Sequence, residues 1–552
     1  MKNTFSKYLK WIWTHSKGVR SAIVFNILLG ASSVALNLVF IWISKRLIDV
    51  ATGDAEGLAR PASEGLVMLC IMLFAAMFLR IMVNAVSTHL ESTTYAKVNF
   101  IIRQRIFSNL LQAQWEGKEK MHTGDTLNRI FTDVDSVTKV LIQELPSLFV
   151  TLFQLAAAFV FLSMMDFRLA LILLLLTPFF IAFSRVFFKK MRALTLNIKE
   201  TESRVQGHIQ ESLQYKTVIQ SLEKGELVEG QLGDMQKTEY EQVLRRTKLS
   251  VFSNTTISAA FGIGYALALI WGVFGIYEGV FTFGVLAAFL QLVGQIQGPS
   301  MRLARQVPSF VYATTSIDRI EEMEIVEKEQ GGDPVRIEAP AGIRIENLTF
   351  AYPDGEKPVF HQFFYDFRPG SRTAVIGETG AGKSTLIRLI LSLLRPQKGK
   401  ITIYSSLSEA LASPLTRINI VYVPQGNTML SGTIRDNLLL GDSYASDERL
   451  WEVLEMAAAD FVKELPDGLD TVCGEKGTGL SEGQAQRIAI ARGLLRPGSI
   501  LLLDEFSSSL DPETEERLLK NLSSSYYNKD KTMIFITHRE ATTKYCDSIL
   551  RI

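Results

Sequence analysis

Cysteine is scarce in this chain, with three in 552 residues. Cys70, Cys473 and Cys546 lie far apart, a spacing that supports neither a disulfide framework nor a thiolate metal site. Free thiols, in the cytosol or within a membrane, are the expectation. Charge of one sign is also lacking: 58 Lys and Arg face 57 Asp and Glu, for a net charge of +1. The few basic clusters flank apolar runs, so nothing points to a nucleic-acid partner. Internal repeats and low-complexity tracts are absent. Residues 89–140 and 189–250 contain no proline and alternate charge with apolarity at helical spacing, which predicts long uninterrupted helices. No small-residue cleavage site follows the first apolar run, and that run is too long for a signal-peptide core. It starts near residue 21, so no peptidase-like region is expected ahead of it and leader-peptide processing is not supported.

Long apolar runs are what the chain has in quantity. Its composition changes near residue 320, from apolar runs to the mixed content of a soluble α/β domain. A helix needs about 20 mainly apolar residues to cross a bilayer. Six stretches qualify, near 21–43, 65–88, 142–164, 169–188, 251–276 and 282–304. Short turns at Met165–Arg168 and Tyr277–Val280 join the third to the fourth and the fifth to the sixth. The second-to-third and fourth-to-fifth connections, on the opposite side, are long and rich in Lys and Arg, and the N-terminal arm carries Lys2, Lys7, Lys10, Lys17 and Arg20. The positive-inside tendency therefore places the N-terminus and both long connections in the cytoplasm, with Lys45, Arg46 and Arg60 as a mild conflict on the outer side. Each connection must reverse direction; Trp115–Asp125 and Glu211–Lys216 are the expected turns. Arg80 falls inside the second run, near its inner boundary, where its side chain can snorkel to water. Asn26, Asn37 and Asn84 suit hydrogen bonds between helices. An acidic, Gly-broken linker at 321–342 follows, and 343–552 reads as the second domain after a membrane domain at 1–320.

The second domain opens its chemistry at Gly377-Glu378-Thr379-Gly380-Ala381-Gly382-Lys383-Ser384-Thr385. An apolar strand precedes this phosphate-loop pattern and a helix follows it. Backbone N–H groups and a helix N-terminus there would cradle a polyphosphate. Lys383 would reach the outer phosphates and Ser384 would ligate Mg²⁺, so the expected ligand is ATP. Ile500–Leu503 is continuously apolar, as a strand buried on both faces must be, and it ends in Asp504-Glu505. Asp504 suits Mg²⁺, and Glu505 is placed to polarise an attacking water.

Further motifs complete the pattern in order: Tyr352 ahead of the phosphate loop, Tyr422-Val423-Pro424-Gln425, Leu480-Ser481-Glu482-Gly483-Gln484, Ser509-Leu510-Asp511 and Thr537-His538. With them the chain resembles half of an ATP-binding cassette (ABC) transporter, an exporter-type membrane domain fused to its nucleotide-binding domain. The resemblance implies a fold of six α-helical spans with long cytoplasmic extensions, then an α/β phosphate-loop domain. It implies that Tyr352 stacks on adenine and that Ser384, Gln425 and Asp504 surround Mg²⁺. Glu505 is then the catalytic base and His538 contacts the γ-phosphate. Ser481, Gly483 and Gln484 would meet ATP held by an opposing subunit, so a homodimer or a heterodimer with a related chain follows. Gly124-Asp125 and 211–216 resemble coupling helices. Three departures stand out: Glu482 in place of a glycine, expected to point outward; no glycine turn between Tyr404 and Pro414; and a C-terminus close behind His538. The implied activity is ATP-driven export of a lipid, drug-like or peptide substrate by alternating access, in a bacterial inner (plasma) membrane with the cassette cytoplasmic. An ATP-gated channel or regulator on the same scaffold, and an NTPase merely anchored by its helices, remain alternatives.

Overall fold

The computed structural model describes residues 11, 14, 16–53, 63–114, 123–353, 357–378, 380–474, 479–524 and 530–552. The chain divides into two compact units, Met1–Phe107 with Gly124–Glu324, and Ser108–Thr123 with Ile325–Ile552.

Among the described residues the first unit is built on six long helices: α1 (Arg20–Thr52), α2 (Ser63–Leu111), α3 (Leu145–Met165), α4 (Phe167–Gln214), α5 (Gly225–Tyr277) and α6 (Phe283–Glu324). Three helical stretches, Arg20–Thr52, Gly65–Leu111 and Thr126–Met165, are long and apolar enough to cross a membrane. The expected spans near 251–276 and 282–304 lie in α5 and α6. The span near 169–188 lies in α4, and its side chains from 173 to 189 are outside the described residues. Along α2, Ile71, Phe74 and Phe78 are more than 60% exposed. Such a stripe is costly in water but suits contact with lipid. Inside, Ala158, Ala170, Ala268 and Ala288 pack with Leu162, Phe289 and Leu292; small residues let helix backbones approach closely.

The loops behave as their residues require. Asp166 alone separates α3 from α4, and its Oδ1 accepts a hydrogen bond from Leu169 N at 2.7 Å as an N-cap. The second expected reversal lies between α4, which ends at Gln214, and α5, which starts at Gly225, with a short helix over Lys216–Ser221. Of the first reversal, 115–122 lies outside the described residues, as does Arg60, while Thr123–Asn128 is a short helix. Near the C-terminal end of α1, buried Asp49 accepts from Gly284 N at 3.0 Å, capping the start of α6. A Cβ on Gly284 would sit 2.3 Å from Asp49 Oδ1 and 2.4 Å from Lys45 O, so only glycine fits there. Asp49→Ala is expected to cost about 0.5–2 kcal/mol, read as a lowered Tm in detergent.

Polar groups in the apolar helices pair with one another. Arg80 Nη1 donates to Asn37 Oδ1 at 2.5 Å, Ser33 Oγ to Asn84 Oδ1 at 2.7 Å, and Ser87 Oγ to Asn26 Oδ1 at 2.5 Å. Arg80, half-buried, is tied to α1 by its bond to Asn37. Two π-helical turns, Arg129–Asp133 and Val140–Glu144, precede α3. Such turns displace backbone carbonyls, and Arg103 donates to two of them, Ile130 O and Phe131 O, both at 3.3 Å.

In the second unit, strands β1 (Gly342–Phe350), β2 (Phe360–Phe367), β4 (Lys398–Tyr404) and β5 (Glu409–Leu411) form an antiparallel sheet in the order β2-β1-β4-β5. In the β4–β5 hairpin, Ser405 Oγ accepts from the N–H groups of Leu407 and Ser408, closing the turn that lacks glycine. A second, parallel sheet runs β11-β3-β10-β9-β6, built from β3 (Arg372–Ile376), β6 (Ile420–Val423), β9 (Ile500–Asp504), β10 (Thr532–Ile536) and β11 (Ser548–Arg551). A short pair, β7 (Gly432–Thr433) and β8 (Val472–Cys473), stands apart. β9 is buried throughout, with Leu501, Leu502 and Leu503 at 0% exposure; each such side chain contributes about 1.5–3 kcal/mol. The residues after His538 supply β11, which pairs with β3 at the sheet edge.

Candidate nucleotide site

In an open parallel sheet, ligands bind beyond the C-terminal ends of the strands. Four neighbouring strands, in the order β3-β10-β9-β6, deliver the expected residues at that edge. The phosphate loop follows β3, Thr537-His538 follows β10, Asp504-Glu505 ends β9, and Gln425 follows β6.

The loop itself is glycine-dependent at two points. Gly380 and Gly382 adopt φ of +90° and +106°, and a Cβ on Gly382 would lie 2.6 Å from Val359 Cγ1. The helix Lys383–Ile390 begins directly after. Lys383 is buried, and its Nζ donates to Gly377 O at 2.7 Å and Glu378 O at 2.9 Å, which draws the loop around the ammonium group. Ser384 is exposed at the helix start and Thr385 is buried. Thr379 lies outside the described residues. The Tyr352 hydroxyl is 3.1 Å from Thr385 Oγ1 and accepts from Arg388 Nη1 at 3.3 Å, with its ring edge-on to Phe350.

The acidic pair is set by register. β9 ends where Ile536 pairs with Asp504 and Leu503 pairs with Val423. Glu505 then turns into the left-handed region at φ +42°, with its N–H on Ile536 O at 2.9 Å. A non-glycine residue there is strained by about 1–3 kcal/mol. Both carboxylate oxygens are engaged: Gln425 Nε2 donates to Oε2 at 2.6 Å, and His538 Nε2 lies 3.2 Å from Oε1. Asp504 is buried, and the Tyr422 hydroxyl lies 3.5 Å from its Oδ2. Burial first, and the neighbouring Glu505 charge second, push Asp504 up to about 6. The same burial, with the Asp504 charge, holds the Tyr422 phenol well above its ordinary value.

The sign of the Asp504 shift gives a prediction. The native chain binds this proton more tightly than the unfolded chain. The resulting stability is complete below the unfolded carboxylate range and is lost as pH rises through about 6. Asp504→Asn should therefore stabilise the nucleotide-free protein at pH 7.5 by on the order of 1 kcal/mol, after allowance for screening. The gain should vanish near pH 4 in thermal unfolding, and added Mg²⁺ and ATP should stabilise the wild type but not the variant.

The signature turn is organised by a capping box. Ser481 Oγ accepts from Gln484 N at 3.2 Å, and Gln484 Oε1 accepts from Ser481 N at 2.8 Å, opening the helix Glu482–Leu495. Glu482 occupies the first helical position and is exposed, where a carboxylate is favoured by the helix dipole. Gly483 is pressed onto the segment after Glu505: a Cβ there would lie 2.7 Å from Ser509 O.

Two contacts at the site have no counterpart in the motif spacing. Tyr422 meets Asp504 only through the β6–β9 register, and strand alternation, which turns it away from Val421 and Val423, was the available signal. Arg539 donates to Ser508 O at 3.1 Å, Leu510 O at 3.2 Å and Glu515 Oε2 at 2.6 Å, clamping the Ser509–Asp511 segment; no sequence signal marks it.

Family models place this architecture. Residues 23–300 match the family "ABC transporter transmembrane region", and residues 360–508 match the family "ABC transporter". The chain belongs to the ABC transporter family. It is an integral membrane protein whose ATP-binding cassette is an ATPase coupled to transport. Two Staphylococcus aureus relatives carry the description "Putative multidrug export ATP-binding/permease protein". That of strain NCTC 8325 / PS 47 is 29% identical over 488 residues, covering 87% of this chain and 84% of the relative. That of the bovine strain RF122 / ET3-1 is 28% identical over 487 residues, with the same coverage. Among solved structures, a bacterial Atm1-family ABC exporter with ATP bound has the same fold, with a TM-score of 0.81 and 22% identity over 97% of this chain and 94% of that one.

Proposed function

We propose that this ABC transporter works as a dimer that exports an amphipathic, drug-like compound by alternating access, from a bacterial plasma membrane with its cassette in the cytoplasm. We place the boundary between a membrane domain at 1–320 and a cassette at 343–552 in the linker 321–342. The observation that carries the reading is Glu505, held in strained backbone with Gln425 on one carboxylate oxygen and His538 beside the other. A carboxylate so fixed can accept a proton from water without reorganising. Retention of both Glu505 and His538 favours turnover over ATP-gated opening. The names of the staphylococcal relatives support a drug-like cargo.

The donor set fits Mg²⁺. Ser384, Gln425 and Asp504 offer hard oxygen ligands, and Asp504 carries a buried charge in want of a cation. When bound, Mg²⁺ would neutralise charge on the phosphates. Lys383 and the 377–385 backbone would hold those phosphates, Tyr352 would swing to the adenine face, and His538 would orient the γ-phosphate. Gln425, with Nε2 spent on Glu505, keeps Oε1 as an acceptor. Ser481, Gly483 and Gln484 would complete the opposite subunit's site, since a capped helix N-terminus favours an anion. A homodimer is the simplest assembly, and a related chain is the other possibility.

The test is ATP-dependent uptake of a fluorescent cationic drug into inverted vesicles carrying the full chain, alongside the mass of the detergent-purified complex. Stimulated ATPase with uptake, from a particle twice the chain mass, is expected. A monomer without uptake would refute the proposal.

A further inference from the structure

The chain that leaves α2 and the chain that leaves α6 meet on the cassette. After α2 ends at Leu111, Ala113 forms an antiparallel bridge with Lys328. Gln114 N donates to Glu327 O at 2.7 Å and Glu329 N to Gln112 O at 2.9 Å. Glu329 then takes a bidentate pair from Arg417, whose Nη1 and Nη2 each lie 2.7 Å from its oxygens. Arg417 also donates through Nε to Leu391 O at 2.6 Å and through Nη2 to Ser392 O at 3.1 Å. Those two carbonyls lie at the C-terminal end of the phosphate-loop helix Lys383–Ile390, where a guanidinium is doubly favoured. Three residues beyond Arg417 the chain enters β6, which delivers Gln425. Beyond Glu329, Val335 N donates to Leu415 O at 3.0 Å, and Asn419 bonds both Ile337 N and Val335 O, at 2.8 and 2.7 Å.

The interactions are not of equal weight. Arg395 also spans the bridge, reaching Glu327 at 3.2 Å and Gln114 at 2.7 Å, but the Arg395–Glu327 side chains are over 60% exposed and such pairs contribute little. Arg417 and Glu329 are 25% and 21% exposed and meet in fork geometry. The bidentate pair is the strong element.

We propose that the Ala113–Lys328 bridge and the Glu329–Arg417 pair form a joint that binds the segments following α2 and α6 to the C-terminal end of the phosphate-loop helix and to the strand leading to Gln425. The joint stays closed through the ATP cycle. Arg417 and Glu329 are positioning residues that never touch nucleotide. In its transport aspect this inference rests on the function proposed above. Motion of the phosphate-loop helix on ATP binding would pass through Arg417 to the linker and to both helices at once.

Glu329→Arg, which sets two guanidinium groups face to face, should cut cargo moved per ATP about tenfold while ATP turnover changes by less than about threefold. Glu329→Asp should restore the wild-type ratio. An unchanged ratio in Glu329→Arg, or transport and ATPase falling in parallel, overturns the joint. A second measurement does not depend on transport. Ala113 and Lys328 form a non-hydrogen-bonded pair, whose Cα spacing of about 4.5 Å suits a disulfide. In a chain whose native cysteines are replaced by serine, Ala113→Cys with Lys328→Cys should oxidise to equal yield without nucleotide and with ATP in the Glu505→Gln background. A yield that collapses in either state shows that the joint opens and overturns the proposal. If the wild type moves no cargo but this disulfide forms equally in both states, the transport reading fails and the joint stands.

Discussion

Glu505→Gln is expected to lower ATP turnover about 10²–10⁴-fold, the range set by loss of a positioned general base, while ATP binding survives. The amide is nearly the same size and can still face Gln425 and His538, so the left-handed backbone at φ +42° should persist. What disappears is the basic oxygen. The phosphate loop, Lys383 and the Asp504 carboxylate are untouched, so nucleotide affinity should stay within a few fold. ATPase assays paired with equilibrium binding of a fluorescent ATP analogue separate the two quantities. Turnover at the wild-type rate in a purified, assembled sample would remove Glu505 from the base role; loss of binding would make it a structural residue.

Gly483→Ala should be the next most damaging change, lowering turnover at least about tenfold. The added methyl would lie 2.7 Å from Ser509 O and 3.3 Å from Leu510 Cδ2. The first neighbour is backbone and cannot rotate away. Its segment is pinned by Arg539 through Ser508 O and Leu510 O, and Arg539 is in turn held by buried Glu515. The helix that carries Ser481 must therefore back off by several tenths of an ångström. A displacement of that size at a catalytic interface costs far more in rate than in stability. The expected pattern is a Tm within a few degrees of wild type and a large fall in ATPase; unaltered activity would mean that the two segments are free to separate. Glu482→Ala, one position earlier and exposed, should leave both nearly unchanged.

Much of this site is legible before any fold is drawn, because local rules govern it. The glycines of 377–382 and the lysine after them specify a loop that wraps anions. A run of four aliphatic residues ending in two acids reads as a fully buried strand with its functional end exposed, and β9 is such a strand. The capping box at Ser481 and Gln484 follows from their spacing. For Arg80, helical rise gives the depth along α2, while its hydrogen bond to Asn37 on a neighbouring helix has no local signal.

By itself, the sequence determined an apolar helical half and a phosphate-binding α/β half, since helical periodicity, run length and loop chemistry are all local properties. Tertiary structure alone decided that Tyr422 meets Asp504, that Arg539 clamps the segment under Gly483, and that Arg417 joins the linker to the phosphate-loop helix. Each of these depends on strand register or on a long-range ion pair, and one side chain's reach across dozens of residues leaves no period or spacing in the chain to read.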